Sequence, residues 1–277
     1  MKRLTVPYIA GKPKDKLTMV TAYDYWSAQV VDRSGADMML IGDSLGMVVQ
    51  GKEHTLSVTI EEMVYHCKAV ARGRERALIV ADMPYLSYHI SVEETIRNAG
   101  ALIRQGGADA VKLEGGKKRF DVVEALLNAE IPVMGHLGLT PQSIHQLGGF
   151  RVQGKNDADQ ERLKEEALAL QRLGVFALVL ECVPLTLAAE ITDSLDIPTI
   201  GIGAGPYCSG QVLVFHDLLG MSYREPPRFV RRFETFSERA ETALRNYCQE
   251  VRQQTFPSVE ESYGRSRRNL RIVSQDG

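Results

Sequence analysis

Eight short β-branched runs, each followed by polar residues and most by a helical pattern, constrain this chain more than any other feature. They are Met19–Asp24, Met38–Ser44, Ala77–Pro84, Ala110–Gly115, Val133–Gly138, Ala177–Cys182, Pro198–Gly205 and Val212–Gly220. Thr59-Ile-Glu-Glu and Ser91-Val-Glu-Glu open intervening segments with the capping-box pattern, and Asp157–Leu173 reads as a charged helix with Leu163, Leu168, Leu170 and Leu173 apolar. Strand, helix, strand repeats imply parallel pairing, because a parallel neighbour is reached only by a crossover. Glycines at Gly35, Gly106-Gly107 and Gly174 end helical segments just before the next strand, as helix C-caps do. A doubly wound sheet could also use eight strands, but no run is followed by G-x-G-x-x-G opening a helix with an acidic partner beyond it. The expectation is an α/β chain folded as a single (β/α)8 barrel, and its 277 residues suit the roughly 250 such a barrel takes.

Charge and cysteine usage narrow the function. Lys plus Arg number 33 against 35 Asp plus Glu, a balance that argues against a nucleic-acid or membrane-surface binder. Met1 to Lys16 has no continuous apolar stretch, and no later run is long enough to cross a bilayer, so a cytoplasmic protein is expected. Cys67, Cys182, Cys208 and Cys248 are scattered without a CxxC pair, and all four read as small buried hydrophobes rather than a disulfide or zinc framework. After Pro257 the chain is rich in Ser, Arg and Gln. The expected division is a catalytic barrel over 1–257 and a polar, disordered tail over 258–277, with a basic cluster from Arg265 to Arg271.

Two stretches interrupt the repeat. Gly46–Val58 is expected as a hairpin over the end of the second strand, and Thr140–Lys155 as a long loop after the fifth. Both belong to the strand C-terminal face, where barrel enzymes keep their active sites.

What ends each run carries the chemistry. Asp43, Asp82 and Glu114 follow successive strands, and carboxylate oxygens with water are what a hard cation such as magnesium prefers. Lys112 and Glu114 are two apart and share one strand face, so Lys112 would neutralise this acidic set; a structural ion pair accounts for it equally well. Glu181 ends Ala177-Leu-Val-Leu-Glu, where burial would raise a carboxylate pKa and make a general base, unless a salt bridge to Lys112 or an arginine satisfies it. His136 could be an acid, a ligand or a hydrogen-bond donor. Asp24 and Asp217 read as helix N-caps or turn residues. Ile200-Gly-Ile-Gly-Ala-Gly could cradle a phosphate, but close packing at a strand end is the better reading, since Pro206 follows at once.

Thr21-Ala-Tyr-Asp, Gly42-Asp-Ser-Leu-Gly, Asp82-Met-Pro-Tyr, Val111-Lys-Leu-Glu-Gly-Gly, Gly135-His-Leu-Gly-Leu-Thr-Pro-Gln, Glu181-Cys-Val-Pro, Ile200-Gly-Ile-Gly-Ala-Gly and Gln211-Val-Leu-Val-Phe-His-Asp-Leu-Leu-Gly occur in this order. Together they resemble the ketopantoate hydroxymethyltransferase family, from about Val6 to about Pro257. The resemblance implies a barrel of the phosphoenolpyruvate/pyruvate type, a magnesium ion, and one-carbon transfer from 5,10-methylenetetrahydrofolate to 3-methyl-2-oxobutanoate, giving 2-dehydropantoate for pantothenate synthesis. It further implies a homo-oligomer, commonly a decamer. Carried over by motif, Asp43 and Asp82 bind the metal with Glu114 nearby, Ser44 and Lys112 hold the oxo acid beside Asp43, Asp82 and His136, and Glu181 accepts the proton. Two other readings stay open: a metal-dependent 2-oxo-acid lyase or mutase of the same barrel type, separated by whether activity needs reduced folate, and a non-catalytic anion-binding barrel.

Overall fold

The computed structural model describes residues 3–263. Eight parallel strands close into a barrel in chain order: β1 (Leu17–Thr21), β2 (Met38–Ile41), β3 (Leu78–Asp82), β4 (Ala110–Lys112), β5 (Val133–Gly138), β6 (Ala177–Glu181), β7 (Thr199–Ile202) and β8 (Gly210–Leu213). β8 completes the ring against β1, with Gln211 opposite Thr18. β2, β3 and β6 are buried on both faces almost throughout, as a helix-covered barrel demands, which is why they read as continuous apolar runs, whereas β1 and β8 expose Thr18 and Gln211 where they meet.

Alternation along the strands builds two cores. Met39, Ile41, Ile79, Ala81, Val111 and Leu178 join the outer cluster under the helices, while Met38, Leu40, Leu78, Val80, Ala110, Met134, Val179 and Ile200 fill the interior. Moving two residues toward the C-terminal end turns Val80 into Asp82, Ala110 into Lys112, Met134 into His136 and Val179 into Glu181. The inward row is therefore apolar at the bottom of the barrel and ionisable at its mouth. Ile9, on the short helix Val6–Ala10, joins the inner cluster and is fully buried.

Helix ends follow the expected chemistry. Thr59 and Glu62 form a reciprocal capping box at the start of Ile60–Gly73, and Gly174 closes Asp157–Leu173 at φ +108°. Ser91 caps Val92–Arg104 by accepting the Glu94 N–H, without the reciprocal bond.

Three expectations change. The first and last runs are shorter strands than the apolar pattern suggested: β1 stops at Thr21, with Asp24 capping the helix Tyr25–Arg33 as its type led one to expect, while Phe215–Leu218 leaves β8 as one helical turn. Phe215 N–H donates to Thr21 Oγ1 at 2.8 Å, which redirects the chain there. Gly46–Val58 forms no hairpin among the described residues. It is a short helix, Leu45–Val48, followed by a compact loop, and a Cβ at Gly46 would stand 2.8 Å from Val58 Cγ2. Cys67 and Cys208 are buried and Cys182 partly so, but Cys248 is exposed on the helix Phe236–Arg252. Of the expected tail, 258–263 is exposed and outside helices and strands; 264–277, with the Arg265–Arg271 cluster, lies outside the described residues. Among the described residues no helix is long and apolar enough to cross a membrane.

Candidate active site

The mouth of the barrel holds a cavity of about 390 Å³, floored by Asp43, Asp82, Lys112, Glu114, His136 and Glu181. The site residues carried over by motif all meet here, Ser44 included, while Asp24 stays outside as a helix cap. Strand register explains the meeting: Asp82 pairs with Lys112 across β3 and β4, and Gly138 with Glu181 across β5 and β6. Gly42 occupies the next inward position of β2. A Cβ there would lie 2.7 Å from Ser44 Oγ and 3.5 Å from Asp82 Oδ2, so glycine keeps this space open.

Lys112 Nζ stands 2.7 Å from Asp82 Oδ1 and 3.1 Å from His136 Nδ1. An ammonium only donates, so His136 Nδ1 is the acceptor and the imidazole carries its proton on Nε2. That N–H faces Glu181 Oε2 at 3.3 Å, and no hydrogen bond to another group satisfies it. Burial and then the Lys112 charge lower the His136 pKa, which keeps the ring neutral in this tautomer. Asp82, Lys112, His136 and Glu181 thus form one line across the barrel floor. Burial alone would lower Lys112, but the carboxylates of Asp82, Glu114 and Asp43 outweigh it and hold the amine above its usual range. It is a fixed charge.

Burial, then the neighbouring Asp82 charge, pushes Asp43 up to about 7. Glu114 is raised by burial and then by Asp43. Glu181 is the least buried of the carboxylates, with its side chain 15% exposed toward the cavity. Asp43, Asp82 and Glu114 are all buried with Lys112 as the one buried ammonium among them, an excess of negative charge that a divalent cation would offset. Among the described residues no three His, Cys, Asp or Glu side chains are placed to hold a metal ion by themselves, so water and substrate oxygens would have to complete its shell. An open set of carboxylates with room for water and substrate oxygens is what magnesium takes in such sites.

Two buried residues that the strand-end reading did not single out hold this set in place. Gln142, in the turn Pro141–Ser143 after β5, donates from Nε2 to the Met83 carbonyl at 3.0 Å and to Asp43 Oδ2 at 2.8 Å. A backbone carbonyl can only accept, so the amide orientation is unambiguous, and Gln142 Oε1 takes the Tyr88 hydroxyl at 2.6 Å. The Gln142 N–H donates to Glu114 Oε2 at 3.0 Å. One loop residue therefore fixes two carboxylates from different strands. On the other side, the Tyr23 hydroxyl lies 2.8 Å from Ser44 Oγ. Both stand in the quoted motifs, Tyr23 before Asp24 and Gln142 after Pro141, but spacing does not say where a loop side chain turns. The glycine run of β7 packs closely: a Cβ at Gly201 would stand 2.9 Å from Cys208 Sγ, which favours the packing role over a phosphate cradle.

A closed parallel eight-stranded barrel with ionisable side chains gathered at its strand C-terminal mouth has the architecture of a (β/α)8-barrel enzyme. Solved structures bear out the fold: phosphonopyruvate hydrolase in complex with oxalate and magnesium aligns with a TM-score of 0.60 at 11% identity over 93% of each chain. A 2,3-dimethylmalate lyase of the PEP mutase/isocitrate lyase superfamily aligns at 0.58 and 15% identity, over 94% of this chain and 89% of its own. Residues 3–259 match the family model for ketopantoate hydroxymethyltransferase, and the chain belongs to that family. It is 56% identical over 263 residues to 3-methyl-2-oxobutanoate hydroxymethyltransferase of Moorella thermoacetica, covering 94% of this chain and 98% of that protein. The Syntrophomonas wolfei protein of the same description is 53% identical over 265 residues, covering 95% and 96%.

Proposed function

We propose that the chain is a 3-methyl-2-oxobutanoate hydroxymethyltransferase of pantothenate biosynthesis, with 5,10-methylenetetrahydrofolate as the one-carbon donor. In the overall reaction C3 of the oxo acid loses a proton and gains CH2OH, water supplies the hydroxyl, and tetrahydrofolate leaves. The observation that carries the mechanism is the line Asp82, Lys112, His136, Glu181, which sets a fixed cation and a carboxylate on opposite sides of one imidazole.

Asp43 and Asp82 would hold magnesium, with Glu114 nearby. The ion would supply Lewis-acid stabilisation of charge developing on the oxo and carboxylate oxygens. Ser44, aligned by Tyr23, and Lys112 bind the oxo-acid oxygens, so the substrate's charged end lies over β2 to β4. C3 then points toward β6. Glu181, on the far side of the barrel from Asp43, takes the C3 proton, and the Nε2–H of His136 aligns its carboxylate. Lys112 stays protonated and forms no Schiff base.

The chain's catalytic unit is residues 1–257. The homo-oligomer is supported by the helix Phe236–Arg252, which buries none of its residues in one chain and exposes Leu244, Tyr247 and Val251; light scattering on the purified protein tests this.

The mechanism is tested with Glu181→Gln, which keeps the shape but cannot accept a proton. Turnover should fall by roughly 10²–10⁴ while magnesium and oxo-acid binding hold. Deuterium exchange at C3 without folate isolates the step, and a wild-type exchange rate in the variant would overturn the role of Glu181.

A further inference from the structure

The cavity rises above the ionisable floor into a rim that deprotonation does not use. Its walls are Phe150 and Arg151 from the loop after β5, Arg228 and Phe229 from the segment after β8, and Asp217 between them in sequence. At about 390 Å³ the cavity falls within the ~300–1,000 Å³ of sites that enclose drug-sized ligands, more than a five-carbon oxo acid needs.

One rim segment is bonded to the residue that follows the base, and the other packs over Gly203 beside it. Gln153 N–H donates to the Cys182 carbonyl at 2.9 Å, which anchors the Phe150 loop there. Phe229 lies over Gly203: a Cβ at 203 would stand 2.9 Å from Phe229 Cδ1 and 3.1 Å from Cys182 Sγ. Gly203 also has φ +63°, so close approach and backbone conformation both call for glycine. The rim therefore opens directly over Glu181, where a one-carbon donor has to deliver its carbon to C3.

The rim's chemistry is unsatisfied in a specific way. Phe150 is 55% exposed and Phe229 37%, although both line a cavity. Asp217 is half-buried and feels the charge of Arg232, but among the described residues its carboxylate accepts no hydrogen bond. Arg151 and Arg228 are exposed, and neither makes an ion pair among the described residues. A flat ring with adjacent N–H donors and an anionic tail would match all three.

We infer that this rim is the reduced-folate site: the pterin ring stacks on Phe150 and Phe229, its amino and ring N–H groups donate to Asp217, and its glutamate carboxylates meet Arg151 and Arg228. The inference rests on the activity proposed above. It adds the position of the second substrate, above the base and clear of the carboxylates that hold the oxo acid.

The test is equilibrium binding of tetrahydrofolate and of tetrahydropteroate, which lacks the glutamate, by calorimetry on the full chain. Asp217→Asn should weaken both ligands about tenfold or more, as expected when a charged hydrogen-bond acceptor is lost. Phe229→Ala should weaken both by about 2–10-fold. Arg228→Gln, on an exposed side chain that does not threaten the fold, should weaken tetrahydrofolate by up to about fivefold and leave tetrahydropteroate unchanged. Wild-type affinity for tetrahydrofolate in both Asp217→Asn and Phe229→Ala overturns the assignment, as does equal weakening of the two ligands by Arg228→Gln. Wild-type C3 exchange without folate separates the two readings. Its absence would undo the oxo-acid chemistry, whereas its presence alongside unchanged folate binding would undo the rim alone.

Discussion

The floor and the rim of the cavity solve opposite problems. Lys112, His136, Asp43 and Asp82 are at most 4% exposed, and each is held by a neighbour on another strand or loop. The rim residues Phe150, Arg151, Arg228 and Phe229 are exposed and stand on loops. Charge on the floor is costly to bury and is therefore fixed by partners, whereas the rim is left open for something to cover. Chemistry resides where the protein is over-determined, and admission where it is not.

Removing the floor's one ammonium is the strongest way to break that contrast. Lys112→Gln leaves Asp82, Asp43 and Glu114 buried without their cation, and breaking a buried pair in this way costs about 3–5 kcal/mol. The expected result is a large drop in melting temperature, partly recovered by magnesium, with turnover abolished. A variant as stable as wild type without metal would mean that the floor is not electrostatically taut. In the wild type, borohydride with the oxo acid should leave the protein mass unchanged; an adduct on Lys112 would replace the fixed-charge role by a covalent one.

Gln142 sharpens the comparison because it is a loop residue performing a floor function. Gln142→Met keeps the volume but loses the bonds to Asp43 and Met83 and the acceptor for Tyr88. Outer partners of metal ligands are typically worth about 10–100-fold in metal affinity, so magnesium binding by calorimetry should weaken by that factor. Tyr88→Phe, which leaves the Asp43 contact in place, should lose less. Equal magnesium affinity in wild type and Gln142→Met would reduce Gln142 to packing.

Gln142 also marks the limit of what the sequence alone conveys. The barrel follows from eight buried runs separated by capped helices, and its closure from the absence of a dinucleotide-type turn. The floor is legible because alternation is local: once Val80 points inward, so does Asp82. Elements whose ends depend on distant contacts are less legible. β1 and the run after Val212 stop where Thr21 and Phe215 bond to each other, 194 residues apart. The Gly46–Val58 segment, by following the second strand, suggested a hairpin over its end, but tight packing of Gly46 on Val58 decides its shape. Gln142 reaches Asp43 across 99 residues, and no periodicity encodes such a contact.

The most local expected effect is a pH dependence confined to the floor. Asp43 has an ordinary pKa of 3.8 and is raised to about 7 in the folded protein, by burial and then by Asp82. Between those values the folded state binds more protons than the unfolded one, so stability falls as pH rises through the window, opposite to a salt-bridged surface carboxylate. Asp43→Asn cannot ionise but still offers an oxygen to Gln142. Without metal, the variant and the wild type should melt together below pH 4, and the variant should gain on the order of 10 °C by pH 8, since about three pKa units correspond to about 4 kcal/mol and each kcal/mol moves a chain of this size by roughly 2–4 °C. Magnesium at pH 8 should close that gap from the wild-type side, because the ion favours the ionised carboxylate that burial disfavours. The exposed rim offers no such desolvated carboxylate cluster, so Arg228→Gln should show no pH-dependent difference from wild type over the same range. A constant offset between wild type and Asp43→Asn from pH 4 to pH 8 would mean that Asp43 is already paired in the metal-free protein, and the contrast between a charge-strained floor and a relaxed rim would fail.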